Sequence, residues 1–196
     1  MKKISKILLL VISLGMITIY FVPIWEITLG APQYPEGLSL NIWINKITGD
    51  LQTINSLNHY IGMKMIEPDS IAELRIMPYL LGLLIISGIL IPVLNKKKLL
   101  VFWVIFFVAL GIAGAVDFYI WEYDYGHNLD PYAIIKVPGM SYQPPLIGTK
   151  DLLNFKATSL PALGGIILIG SGIVSVLVLF YEVKFKKKIK TDEKTA

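Results

Sequence analysis

Four apolar runs, each long enough to cross a bilayer, constrain this chain more than any other feature. They fall at about Ile4–Ile24, Met77–Leu94, Leu99–Ile120 and Leu160–Tyr181. A hydrocarbon core of about 30 Å needs roughly 20 apolar residues in helical form. Within lipid only a helix satisfies its own backbone groups over a single segment. The rest of the composition agrees: 55% of the 196 residues are hydrophobic and 16% charged, against about 25% charged in soluble domains. The expected fold class is a membrane all-α protein: a four-transmembrane-helix bundle with a small α+β extracytoplasmic cap formed by two long loops. The segments are span 1–24, outer loop 25–76, span 77–94, turn 95–98, span 99–120, outer loop 121–159, span 160–181 and tail 182–196.

Lysine placement gives the orientation. Lys2, Lys3 and Lys6 precede the first span, Lys96, Lys97 and Lys98 fill the tight turn, and Lys184, Lys186, Lys187, Lys188, Lys190 and Lys194 follow the fourth. Only Glu182, Asp192 and Glu193 accompany them, so that face sums to +9 and the opposite face to −5. The positive-inside rule places both termini and the lysine turn in the cytoplasm. The expected location is a bacterial cytoplasmic membrane, with loops 25–76 and 121–159 outside. The lysine tail reads as a topogenic run against anionic lipid, not a nucleic-acid site. A cleaved signal peptide is the alternative for the first span. No small-x-small cleavage site follows it, and Pro23, Trp25 and Glu26 read as an interfacial helix end.

The spans carry little chemistry. Ala109, Gly111, Ala113 and Ala115 recur on the third, and Gly165, Gly170, Ser171, Gly172 and Ser175 on the fourth. Small residues at helical spacing let backbones approach closely. No charged residue lies deep in a span, which argues against a proton pump or ion-coupled transporter. The absence of cysteine removes disulfides, thiolate metal sites, iron–sulfur clusters and covalent haem attachment. No Walker loop, dinucleotide glycine motif, H-E-x-x-H or nucleophile signature is present.

Both outer loops are too long for plain connectors. In the first, Leu38, Leu40, Ile42 and Ile44 alternate with Ser39, Asn41, Trp43 and Asn45, predicting a strand with one apolar face. Lys46–Gly49 reads as a turn. Asp50 then caps a helix carrying Ile54, Leu57 and Ile61 and ending at Gly62, and Pro68–Ser70 start another short one. In the second loop Trp121, Tyr123 and Tyr125 suit an aromatic belt. Prolines and glycines forbid long regular structure between Asp130 and Gly148. Thr149 is expected to cap a short amphipathic helix, with Leu152, Leu153 and Phe155 facing the membrane.

The two histidines, His59 and His127, both fall in the outer loops, as do Met63, Met65 and Met140. His59, Met63 and Met65 form an H-x3-M-x-M cluster that His127 and Met140 would join only if the loops pack together. Imidazole and thioether ligands without thiolate suit copper, particularly Cu(I), and neighbouring carboxylates could orient the rings. The plainer reading is a capped helix end and methionines used for packing. A histidine with Glu122 or Asp124 could instead carry proton chemistry, or those acids form a solvated rim.

Two stretches, Tyr34–Met63 (YPEGLSLNIWINKITGDLQTINSLNHYIGM) and Tyr123–Phe155 (YDYGHNLDPYAIIKVPGMSYQPPLIGTKDLLNF), look like family motifs. Together they resemble uncharacterised four-helix membrane proteins associated with bacterial nitrous-oxide reductase and copper-maturation gene clusters. That resemblance implies copper delivery or electron transfer on the periplasmic face. Three readings follow. The first is a membrane-anchored copper-handling or maturation factor, not itself an enzyme, with His59, Met63, Met65, His127 and Met140 as ligands. The second is a metal-free scaffold docking a periplasmic electron-transfer partner. The third is a membrane enzyme acting on a lipid or quinone, which would need His127 and Glu122 on a lateral cavity.

Overall fold

The structure, a computed structural model, describes residues 1–195, with side chains described through Val183. The lysine side chains from Lys184 onward, which contribute to the charge argument, lie outside the described residues. In chain order the elements are α1 (Lys3–Gly15), β1 (Trp25–Ala31), β2 (Tyr34–Ile42), β3 (Ile47–Gly49), α2 (Leu51–Ile61), α3 (Ala72–Leu94), α4 (Lys97–His127), β4 (Gly148–Leu152), β5 (Phe155–Pro161) and α5 (Leu163–Thr195). A 3₁₀ stretch, Met16–Phe21, prolongs α1, and another, Pro68–Ser70, precedes α3.

Four helical segments, Lys3–Phe21, Ala72–Leu94, Lys97–His127 and Leu163–Val183, are long and apolar enough to cross a membrane. Their exposed faces carry large apolar side chains such as Val11, Ile86, Phe102 and Ile173. That pattern is consistent with a lipid bilayer as surroundings. α1 packs on α3 and α5, and α4 on both of these. The bundle core centres on Leu9, Met16, Leu84, Leu100, Trp103 and Val178. Trp103 Nε1 donates to the carbonyl of Leu84 at 3.0 Å, so the buried indole keeps a partner.

At one end of the bundle the two long loops form a single five-stranded antiparallel sheet, ordered β3-β2-β1-β5-β4. Its central strand, β1, comes from the first loop and pairs with β5 of the second, in register from Trp25↔Pro161 to Gly30↔Lys156. Alternation explains the faces: Ile27, Leu38, Leu40 and Ala157 are buried, whereas Glu26 and Lys156 are exposed. The sheet is fastened to the bundle at its base. The amide of Ala162 donates to Ile24 O at 3.1 Å, and that of Gly164 to Pro23 O at 2.9 Å. The β2–β3 turn adds a plug, because Ile44, 5% exposed, belongs to the helix core and not to the sheet core.

Several expectations change here. The helix expected at Thr149 is the β4–β5 hairpin, and Leu152 is buried under the sheet, not turned to the membrane. Its alternation is too short to declare a period by itself; β5 becomes a strand because β1 offers it an edge. Trp25, read as a helix end, opens β1, and the Lys46–Gly49 turn contains the short strand β3. The strand expected from Leu38 begins at Tyr34 and ends at Ile42. The aromatic stretch Trp121–Tyr125 continues α4 without a break to His127. At 1.5 Å per residue its 31 residues span roughly 46 Å, well beyond a hydrocarbon core of about 30 Å. Its last turns therefore stand in the cap. α2 follows expectation, with Ile54 buried and Gly62 closing it at φ 80°.

Candidate functional site

The inner face of the sheet, α2 and the top of α4 enclose an apolar core of Ile27, Leu38, Leu40, Ile47, Ile54 and Ile66. An aromatic ladder leads up to it. Trp25 and Phe118 meet edge-on at 5.3 Å, Phe118 stacks on Trp121 at 6.1 Å, and Trp121 lies 4.5 Å from Tyr125. The second loop closes over the top. The amide of Asp130 donates to Gly62 O at 2.8 Å, that of Ile135 to Tyr60 O at 2.9 Å, and that of Tyr142 to Gly126 O at 2.9 Å. Both seams need glycine. A Cβ on Gly62 would lie 2.8 Å from the Ala133 Cβ, and one on Gly126 would lie 2.4 Å from the Gln143 Cα.

These elements do not fill the space between them. A cavity of about 340 Å³ remains, lined from the sheet by Ile27 and Leu40, from α2 by Ile54 and Leu57, and from α4 by Trp121 and Tyr125. Tyr142, Pro144, Leu152 and Phe155 complete its walls. Among the described residues no Asp, Glu, Lys, Arg or His lines it. The size lies in the ligand-pocket range of roughly 300–1,000 Å³. An apolar cavity of about 150 Å³ already takes up benzene.

The residues singled out for metal chemistry are spread over α2, the segment that follows it, the end of α4 and the second loop. Met63 lines the cavity. His59 is exposed on the last turn of α2, its ring edge-on to Tyr60 at 6.2 Å. Met65 is 53% exposed, and its carbonyl accepts the Tyr125 hydroxyl at 3.1 Å. His127, at the end of α4, stacks on Tyr123 at 4.0 Å, and its Nδ1 lies 3.1 Å from the Tyr123 carbonyl. Since a carbonyl can only accept, Nδ1 is the donor in that bond. Met140 sits half-buried in a turn closed by its own amide on Val137 O.

The loops do meet, as the shared site required. Lys64, between Met63 and Met65, pairs with Asp124 at 2.6 Å. Hydrogen bonds from Lys64 and Asn128 hold the Asp124 carboxyl, which stands in the cap at the top of α4, below the usual carboxylate range. Among the described residues no three His, Asp or Glu side chains form a group that could hold a metal ion. Glu122 and His127 lie on different sides of α4: Glu122 is 1% exposed, His127 is exposed, and neither lines the cavity.

Met63, Leu40 and Ile54 stood out in the sequence for other reasons, but nothing in the local pattern joined them to β1 around a cavity. The alternation of Trp25, Ile27 and Leu29 was available, but it abutted an apolar span and merged with it. No family model matches the chain, and no curated protein or solved structure matches it either.

Proposed function

We propose that this protein is a membrane-anchored binding module whose cap holds an apolar ligand. The observation that carries the reading is the uncharged cavity of about 340 Å³ between the sheet, α2 and the top of α4. A small domain gains by closing such a void with its own side chains, since cavities cost stability. One built from two chain segments and kept open suits an occupant. Among the described residues its walls carry no carboxylate, amine, imidazole or thiol, and their polar side chains include the tyrosines Tyr60, Tyr125 and Tyr142 and the amides Gln33, Asn58 and Asn154, a lining suited to binding. The lysine asymmetry supports a cap on the outer face and both termini inside.

Trp121 provides the test, because it lines the cavity. Protein held in amphipol is titrated with brominated alkyl chains, which quench a tryptophan they touch. The expected result is saturable quenching that Trp121→Phe removes. Each added methylene, worth about 0.8 kcal/mol, should tighten binding about fourfold until the cavity is full. Quenching that rises linearly with chain concentration, unchanged in Trp121→Phe, would overturn the reading.

Copper handling is a second reading, with a periplasmic copper or electron-transfer protein as partner. The docking of segment 59–65 on segment 123–130, through Lys64–Asp124 and the Tyr125 hydroxyl, favours it. His59, Met63, Met65 and His127 would hold Cu(I), with Met140 from the following turn. Titration with Cu(I) against a competing chelator tests it. Binding that is unaltered in His59→Ala/Met63→Ala would end it.

A further inference from the structure

The cavity has a direction. β1 leaves the helices at Trp25 and climbs for seven residues, roughly 20 Å at about 3.3 Å per residue. The buried lining residues Ile27, Leu40 and Ile54 belong to its floor. The exposed ones, Gln33, Leu153 and Asn154, sit at the far hairpin tips, and Tyr60 and Ile135 face them from α2 and the second loop. The β1–β2 and β4–β5 tips are neighbours because β1 pairs with β5 up to Gly30↔Lys156. The mouth therefore lies at the end of the cap away from the helices, with the amides of Gln33 and Asn154 on one side of it.

Among the described residues no charged side chain lines the cavity or its rim. Of the charged residues near the tips, Glu36 and Lys156 line a separate hollow with Thr28 and Thr158, and Asp151, paired with Lys156, lines neither. Leu153, the first residue of the two-residue β4–β5 turn, takes the left-handed conformation such a turn demands, φ 57°, at a cost of roughly 1–3 kcal/mol for a residue with a Cβ. Glycine or asparagine would relieve that strain, yet the position presents a leucine, 46% exposed. An apolar rim beside two neutral amides suits a chain that enters tail first and seats an uncharged polar end at the rim. A charged end would be drawn from water toward groups that cannot neutralise it, whereas an amide can both donate to and accept from a hydroxyl and can donate to an ester carbonyl.

Resting on the binding reading above, we propose that the ligand is a neutral single-chain amphiphile, its tail on Ile27, Leu40 and Ile54 and its uncharged polar end between Gln33 and Asn154. The test uses the full-length protein in amphipol and four twelve-carbon probes that compete with a brominated chain for Trp121. They are monolaurin, laurate, dodecyltrimethylammonium and dodecane. Monolaurin should compete at least tenfold better than either charged probe. Gln33→Ala/Asn154→Ala should reduce its advantage over dodecane threefold or more and leave dodecane unchanged. Laurate or the ammonium probe matching monolaurin would overturn the neutral end. A double variant that keeps the full advantage would overturn its placement. If the brominated chain itself gives no saturable quenching at Trp121, the binding reading falls; if it does and monolaurin has no advantage, only the present proposal falls, which separates the two failures.

Discussion

Lys97 Nζ lies 2.8 Å from Glu182 Oε2 at the end of the bundle opposite the cap, joining the start of α4 to α5. The other carboxylate oxygen accepts the backbone amide of Lys2 at 2.6 Å, and the N-terminal amine donates to Asn95. One buried carboxylate thus gathers the N-terminus, α4 and α5, next to the α3–α4 turn. The partners are unequal: Glu182 is 1% exposed and Lys97 44%.

That inequality predicts an order of effects. Lys97→Ala leaves a buried charge without its counter-ion, whereas Glu182→Ala leaves a lysine that can turn to water. Lys97→Ala should therefore destabilise at least as much as Glu182→Ala. The double variant should be no worse than Lys97→Ala alone. Thermal unfolding in a fixed detergent checks the order, and a double variant far below both singles would contradict it.

Gly88 lies where three helices cross. A Cβ there would sit 2.3 Å from Ser13 Oγ and 2.9 Å from Trp103 Cζ2. Gly88→Ala is expected to cost about 1–3 kcal/mol through overpacking. Gly111 has nothing within 4 Å of the same atom, so Gly111→Ala should be neutral or slightly stabilising. Comparing the two unfolding midpoints separates close packing from a general intolerance of added bulk.

Both carboxyl oxygens of Glu122 are buried and have no hydrogen-bond partner among the described residues. An unsatisfied buried polar group costs about 1–3 kcal/mol. Glu122→Met, which keeps the length without the polar atoms, should raise the unfolding midpoint, and Glu122→Gln should raise it less. A lowered midpoint for the methionine variant would show that the carboxyl has a stabilising role in the folded protein.

Ile44 is one tie between cap and bundle, reaching from the β2–β3 turn into the helix core. Ile44→Ala should cost about 2–5 kcal/mol, as for other buried isoleucines. Because the cap then loses its plug, amide exchange should quicken in β2 and β3 before it does in the helices. Equal acceleration throughout would mean that cap and bundle open as one unit.

The reading of the first loop shows how far local pattern reaches. Leu38 and Leu40 were legible as an apolar face and Asp50–Gly62 as a capped helix, because alternation and helix ends are written in neighbouring residues. β1 was missed because Trp25, Ile27 and Leu29 follow an apolar span with no break in hydropathy. Leu152, Leu153 and Phe155 fit an amphipathic helix as well as a hairpin, and only the edge of β1 decides between them. His59 and Met63 stood out by residue type. The cavity wall is built of ordinary leucines, isoleucines and aromatics, which carry no such mark.

What the chain determined by itself was the set of four apolar helices and the segregation of lysine. Each is a property of contiguous residues and of their transfer between water and lipid. The tertiary structure decided that Trp25 pairs with Pro161, that two loops make one sheet, and that a cavity remains beneath it. Those outcomes depend on strand edges brought together across more than a hundred residues of chain, and on how imperfectly two apolar faces fit. Neither is a property of any one segment.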